Sequence, residues 1–293
     1  MAVHWIIHAI ILIGLGIATV TDIKKREVPD TLNFGLIILG VVIGILGSVF
    51  SKSWQPCITS ILGLGIGYGV GALMFYTGQW GGGDAKMLMG MGAILGTQWT
   101  EIISLFNGTQ NIPFFFTTII TIFIAGGIYG FAYAIFLIIK NRKEFKIEFR
   151  RKREEKNMIK VRKIVLGATA LIVLGMLLVD DKFLKMALGI IAVFVFFGQY
   201  LFIISKVVEK VCMIKTVPIR ALTEGDWIVE DIIVKGKRIC GPKDLGISLE
   251  QIEELKKNKI RTIKIKEGIP FIPGFLLGYI LMVVFGNWLV YFL

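Results

Sequence analysis

The stretch "TGQWGGGDAKMLMG", residues 77–90, sets Asp84 behind three consecutive glycines and just ahead of an apolar run. A second carboxylate, Asp22, closes an earlier apolar run, in "TDIKKREVPDTLN". Two carboxylates brought close together cannot both ionise, so one holds a proton while the other stays charged. The ionised member can take a proton from water while the neutral member polarises a peptide carbonyl. That is the minimum equipment for peptide hydrolysis without a metal. Gly81, Gly82 and Gly83 carry no Cβ, so backbone there can approach a substrate strand or bend sharply into a helix. An extended peptide can find hydrogen-bond partners along such an edge. Each aspartate alone has a plainer reading. Asp84 would cap the run that starts near Lys86, and Asp22 would be an interfacial residue paired with Lys25 or Arg26.

The elements that must position this pair are read from hydropathy. The chain of 293 residues is 55% hydrophobic, with a mean hydropathy of +0.74. Its apolar residues gather into runs of membrane-spanning length: Val3–Thr21, Leu32–Phe50, Pro56–Thr77, Lys86–Phe106, Ile112–Ile139, Ile164–Val179, Phe183–Ser205 and Ile269–Leu293. About 20 apolar residues cross a bilayer as a helix, and these runs lack the alternation of barrel strands. The sixth is short and needs Lys163 and Lys182 to snorkel. The first lacks a basic leader and a small-residue cleavage site, so a retained helix is expected. The fold class expected is an all-α polytopic membrane protein of about eight transmembrane helices, with a small cytoplasmic α+β module inserted before the last helix.

Orientation follows from charge. Of the 33 Lys and Arg, 12 lie in segment 140–163 and 14 in segment 206–268, and Lys24, Lys25 and Arg26 follow the first run. With both ends of the chain outside, all three basic segments face the cytoplasm, as the positive-inside rule requires. Asp22 and Asp84 then lie at the same cytoplasmic membrane face. Topology, aided by anionic lipid, explains the net charge of +12, and no basic face interleaved with aromatics suggests nucleic acid. The domains expected are a catalytic membrane domain (1–140), a basic, partly helical connector (141–163), a transmembrane hairpin (164–205), the α+β module (206–268) and a last transmembrane helix (269–293). Asp180 and Asp181 would cap the hairpin.

Within the module, "DWIVEDIIV" and "RTIKIKE" read as strands from their β-branched residues, and "SLEQIEELKKNK" as a helix. Ser248 and Gln251 form a capping box for that helix. Cys57, Cys212 and Cys240 are isolated in sequence and suggest neither a zinc ribbon nor a disulfide framework. His4 and His8 share a helical face but have no third ligand nearby, so they read as polar residues of the outer interface, and neither metal nor cofactor is expected. Glu101 is expected near the outer end of the fourth run, where a carboxylate costs least.

The sequence resembles the prepilin peptidase family, in its archaeal prepilin and preflagellin branch. The GxGD motif of these membrane aspartyl proteases is matched by Gly81-Gly82-Gly83-Asp84, with Lys86 two positions on. The aspartate, basic stretch and proline after the first helix are matched by Asp22, Lys24, Arg26, Pro29 and Asp30. The resemblance implies that Asp22 and Asp84 are the catalytic pair, and it covers about residues 1–140. Many bacterial relatives carry a CxxC domain between the first two helices and methylate the new N-terminus. The loop here is about ten residues long and holds no cysteine, so methyl transfer is not implied. The Tyr-Asp and Pro-Ala-Leu motifs of presenilin-like relatives are absent. The region after residue 206 looks like a C-terminal domain of some archaeal members.

The function expected is therefore an aspartic-type endopeptidase of the cell membrane. It would remove a short basic leader from prepilin-like or preflagellin precursors at the cytoplasmic face. Gly81, Gly82, Gly83, Lys86, Glu27 and Asp30 are candidates for substrate binding, with Glu27 and Asp30 attracting the basic leader; Asp30 would otherwise cap the second helix. Two other classes fit a buried carboxylate less well. A transporter would use it as an ion site, but no matching broken segments repeat across two halves. A non-catalytic scaffold of a surface-filament machine would share the topology without needing both aspartates.

Overall fold

The computed structural model describes residues 2–97, 113–234 and 236–292. The chain divides into two compact units. One comprises Met1–Tyr133, Lys243–Gly246 and Gly268–Leu293, the other Ala134–Pro242 and Ile247–Glu267.

The first unit is helical. Helix α1 (Ala2–Lys25) ends with Lys24 and Lys25 in its last turn, where cations oppose the negative end of the helix dipole. Arg26 then turns left-handed at φ +60°. Helix α2 (Asp30–Ser51) starts behind Pro29 with Asp30 in its first turn. Helix α3 (Gln55–Tyr76) has Pro at its start, where the missing N–H is not needed, and Gly78 at φ +70° follows its end. Helix α4 (Gly82–Gly96) is almost wholly buried. Helix α5 (Phe114–Lys140) begins in this unit, and α10 (Ile272–Phe285) closes it.

Glycine lets α2, α3 and α4 pack backbone to backbone, as small residues do between membrane helices. A Cβ on Gly67 would lie 2.6 Å from the Leu88 carbonyl oxygen, and one on Gly40 2.7 Å from Ala93. Fully buried Ser60 donates between them, its hydroxyl 2.9 Å from the Ala93 oxygen and 3.2 Å from the Gly40 oxygen. Met87, Leu88, Met91, Ile94 and Leu95 of α4 fill the core with Ile11, Leu15, Phe115, Ile122, Phe275 and Tyr279.

The second unit holds the end of α5, then α6 (Arg142–Glu154), α7 (Lys156–Leu177) and α8 (Lys182–Val208). The basic connector is thus helical on both sides of a break at Glu155. The short sixth apolar run sits inside a helix of 22 residues that starts at Lys156. Asp181 caps α8, its carboxylate accepting the Leu184 N–H at 2.7 Å. Glu148 of α6 accepts from Lys210 at 2.7 Å, and that hydrogen bond holds its carboxyl below the usual carboxylate range.

Three strands, β1 (Ile214–Pro218), β5 (Thr262–Lys266) and β2 (Trp227–Ile228), form an antiparallel sheet in the order β1-β5-β2. Strands β3 (Ile232–Val234) and β4 (Lys237–Cys240) form a hairpin. Helix α9 (Leu249–Lys257) carries the Ser248–Gln251 capping box and buries Ile252 and Leu255 against Ile228, Ile239, Ile263 and Ile265. The single strand expected over "DWIVEDIIV" is two strands in different sheets, and β1, not expected, has the same β-branched character in Ile214, Thr216 and Val217.

Among the described residues, five helices are long and apolar enough to cross a membrane: Trp5–Lys25, Asp30–Ser51, Gln55–Tyr76, Phe114–Lys140 and Lys182–Met213. The chain is an all-α membrane protein in its helical part. Helices α4 and α10 are shorter, at 15 and 14 residues. The expected helix over 269–293 breaks at Gly286, φ +65°, and continues as a 3-10 turn. The far end of the fourth run, with Glu101, lies outside the described residues.

Candidate functional site

Asp22 sits one turn before the end of α1 and is only 6% exposed. Its carboxylate Oδ2 accepts the Ile272 N–H at 3.0 Å. This donor is the first turn of α10, and Arg26 stands near enough to act on Asp22 electrostatically. The Arg26 guanidinium reaches the Tyr133 hydroxyl at 2.9 Å and stands 5.7 Å from that ring's centre. Its other terminal nitrogen, Nη1, is buried without a partner.

Asp84 is the third residue of α4. Gly81 is the N-cap, and its N–H donates to Asp84 Oδ2 at 3.0 Å. The helix therefore starts earlier than the cap expected at Asp84. Of the three glycines, Gly83 is the one that needs its small size: a Cβ there would lie 3.1 Å from Val28 Cβ. The sharp turn before α4 falls at Gly78. Fully buried Asn33 of α2 donates to the Gly83 oxygen at 3.3 Å. Trp80, 4% exposed, anchors the turn against Phe123, Phe271 and Phe275, with ring centres 5.4, 5.5 and 5.1 Å away. The two aspartates are near enough to interact electrostatically.

Lys86 and Asp30 bind each other at 2.6 Å, and Lys86 also covers the Phe34 ring at 5.2 Å. Asp30 therefore ties α2 to α4. Glu27 is exposed. His8 is buried and its Nδ1 lies 2.6 Å from the Tyr279 hydroxyl, so its partner is in the bundle core. Among the described residues no three His, Cys, Asp or Glu side chains gather to hold a metal.

The structure thus sets Asp84 beside Gly81, Gly82 and Gly83 and within electrostatic reach of Asp22, and it pairs Lys86 with Asp30. It adds Asn33, Trp80 and the Ile272 amide, which the motif reading passed over. The two prolines of "GIPFIPG" were the available sign that a helix begins at residue 272. Two interacting carboxylates, each with an oxygen held by a backbone amide, have the groups that acid–base chemistry requires.

A model of the type IV leader peptidase family matches residues 9–135. The chain is 33% identical to a preflagellin peptidase of Methanococcus voltae over 136 residues, 46% of this chain and 58% of the relative. It is 31% identical to a preflagellin peptidase of Methanococcus maripaludis over 176 residues, 56% of this chain and 74% of the relative. It is 29% identical to a prepilin peptidase of Methanothermobacter thermautotrophicus over 146 residues, 48% of this chain and 38% of the relative. The chain thus spans a little over half the length of the first of these relatives. No solved structure matches.

Proposed function

The chain belongs to the type IV leader peptidase family, and from that premise we propose that it is a membrane aspartyl endopeptidase acting on prepilin-like or preflagellin precursors. Asp22 and Asp84 are its catalytic pair. The observation that carries this reading is a buried Asp22 near enough to Asp84 for their charges to interact, with each held by a backbone amide. The ionised carboxylate takes a proton from water as the water oxygen bonds to the scissile carbonyl carbon. The protonated carboxyl gives its proton to the carbonyl oxygen. On collapse the C–N bond breaks and the leaving nitrogen takes the proton held by the first carboxylate. The second carboxylate recovers its own proton from the former carbonyl hydroxyl. No cofactor enters this sequence.

The reading includes a topology. About eight spans, with both ends of the chain outside, put the aspartate pair at the cytoplasmic face and keep segments 140–163 and 206–268 in the cytoplasm. The α+β module is then an insertion before the last helix. At that depth a substrate held by its own apolar helix presents the bond where its charged leader meets the hydrophobic run. The bond must lie in frayed or extended backbone, since helical carbonyls are engaged. The product keeps its whole hydrophobic helix. Incubating the purified protein with a panel of precursors and sequencing the products by mass spectrometry tests this. A new N-terminus beyond the hydrophobic run, or no cleavage of any precursor, would overturn it.

A further inference from the structure

The Ile272 amide lies 250 residues from Asp22 in sequence and outside the stretch that matches the family, residues 9–135. Resting on the aspartyl peptidase reading, we infer that the first turn of α10 is part of the active site, with the Ile272 N–H as the group that positions the Asp22 carboxylate.

The turn is clamped on three sides. A Cβ on Gly274 would lie 2.7 Å from the Gly126 Cα, and one on Gly278 2.8 Å from the Ile122 Cα, so α10 rests directly on the backbone of α5. Tyr279 reaches His8 of α1. Phe271 and Phe275 pack on Trp80, the residue before Gly81. Ile272, Phe275, Tyr279 and Met282 are fully buried. The amide is therefore fixed relative to both Asp22 and the glycine turn that carries Asp84.

This geometry restricts where a proton can sit. A backbone N–H only donates, and a carboxylate or carbonyl oxygen accepts it more strongly than a hydroxyl oxygen, so the oxygen it meets is the one less favoured to carry a proton. Ile272 holds Asp22 Oδ2 in this way, and Gly81 holds Asp84 Oδ2. A proton shared by the pair is therefore favoured on the other oxygen of one of the two. Each aspartate has one oxygen fixed by backbone and one for proton traffic. The Ile272 contact also sets the carboxylate's rotation, and a misaimed general base loses rate, not affinity.

The test replaces the Ile272 amide by an ester, introduced as the α-hydroxy analogue of isoleucine into the full-length chain. Every side chain stays. The same exchange at Ile280, inside α10, serves as the control for loss of an ordinary helix hydrogen bond. Two readouts are taken: precursor cleavage against pH, and an infrared titration of the Asp22 carboxylate with Asp22→Asn as the reference. The inference expects kcat to fall tenfold or more at Ile272 with KM within about twofold. It also expects the acid limb of the kcat profile and the infrared midpoint to move up together by about one pH unit, because a lost donor disfavours the ionised form. Neither moves at Ile280. An unmoved infrared midpoint overturns the inference whatever the activity. A moved midpoint with unchanged kcat limits the contact to structure and also overturns it. If the parent chain cleaves no precursor, the aspartyl peptidase reading itself fails, and the positioning role of Ile272 with it.

Discussion

Replacing Gly67 by alanine should push α3 away from α4, and the size of the effect can be worked from the helix contact. The new Cβ would lie 2.6 Å from the Leu88 carbonyl oxygen, 3.1 Å from the Leu88 carbonyl carbon and 3.0 Å from Met89 Cα, whereas ordinary contact starts at 3.4 Å. All three atoms are backbone, so no side chain can rotate away and the helices must separate by most of the shortfall. Overpacking of this kind costs about 1–3 kcal/mol. Gly65 and Gly69 lie on the same helix with nothing within 4 Å of their Cβ positions. Alanine at either site should instead stabilise by about 0.5–1 kcal/mol, through the unfolded chain and helix propensity. That propensity gain is common to all three positions, so the gap between Gly67→Ala and Gly65→Ala isolates the clash, at about 1–3 kcal/mol. Unfolding in detergent, run in parallel on the three variants, measures it. Precursor cleavage should fall in Gly67→Ala only, because α4 carries Asp84. A Gly67→Ala protein as stable as Gly65→Ala would refute the backbone-contact account of this bundle.

Further outcomes follow from charge. Asp30 is neutralised by Lys86 at 2.6 Å, so the basic leader should respond to Glu27: Glu27→Gln should raise KM for basic-leader peptides about fivefold, the equivalent of about 1 kcal/mol. Asp30→Asn should raise it less, and the larger effect at Asp30 in steady-state kinetics would contradict this. In the second unit, the Lys210 hydrogen bond lowers the Glu148 pKa in the folded chain, so its stabilisation is present above the ordinary carboxylate range and is lost as pH falls through the lowered value. Unfolding of Glu148→Gln against the parent should therefore differ by about 1 kcal/mol near neutrality, and the difference should vanish in acid. A difference that grew in acid would reverse the assignment.

Much of the site was legible because membrane burial makes a carboxylate conspicuous. Asp22 and Asp84 stand out at the edges of apolar runs, and the expected span count would put both on one face. Local rules also carried: the Asp181 cap and the Ser248–Gln251 box act within one helical turn, which sequence spacing encodes directly. Contacts closed by tertiary packing left no such trace. The pairing of Lys86 with Asp30 across 56 residues, of His8 with Tyr279 across 271 and of Asp22 with the Ile272 amide across 250 has no periodicity to read. The glycines misled for a related reason. A run of three suggests a backbone bend, yet the left-handed turn is at Gly78, and tight packing falls on Gly83 and on dispersed glycines such as Gly40 and Gly67. The expected strand over "DWIVEDIIV" failed because β-branched content marks strand tendency but not the break at Val229–Asp231, which is set by pairing.

The account rests on two carboxylates exchanging protons, and single Asp22→Asn and Asp84→Asn proteins test that most directly. The amide nearly matches the carboxylate in shape, so folding should be retained, as judged by detergent unfolding within about 1 kcal/mol of the parent. Cleavage of a precursor that the parent processes should fall below detection, at least a thousandfold, in each variant separately. Retention of most of the parent rate in either folded variant would contradict a two-aspartate mechanism.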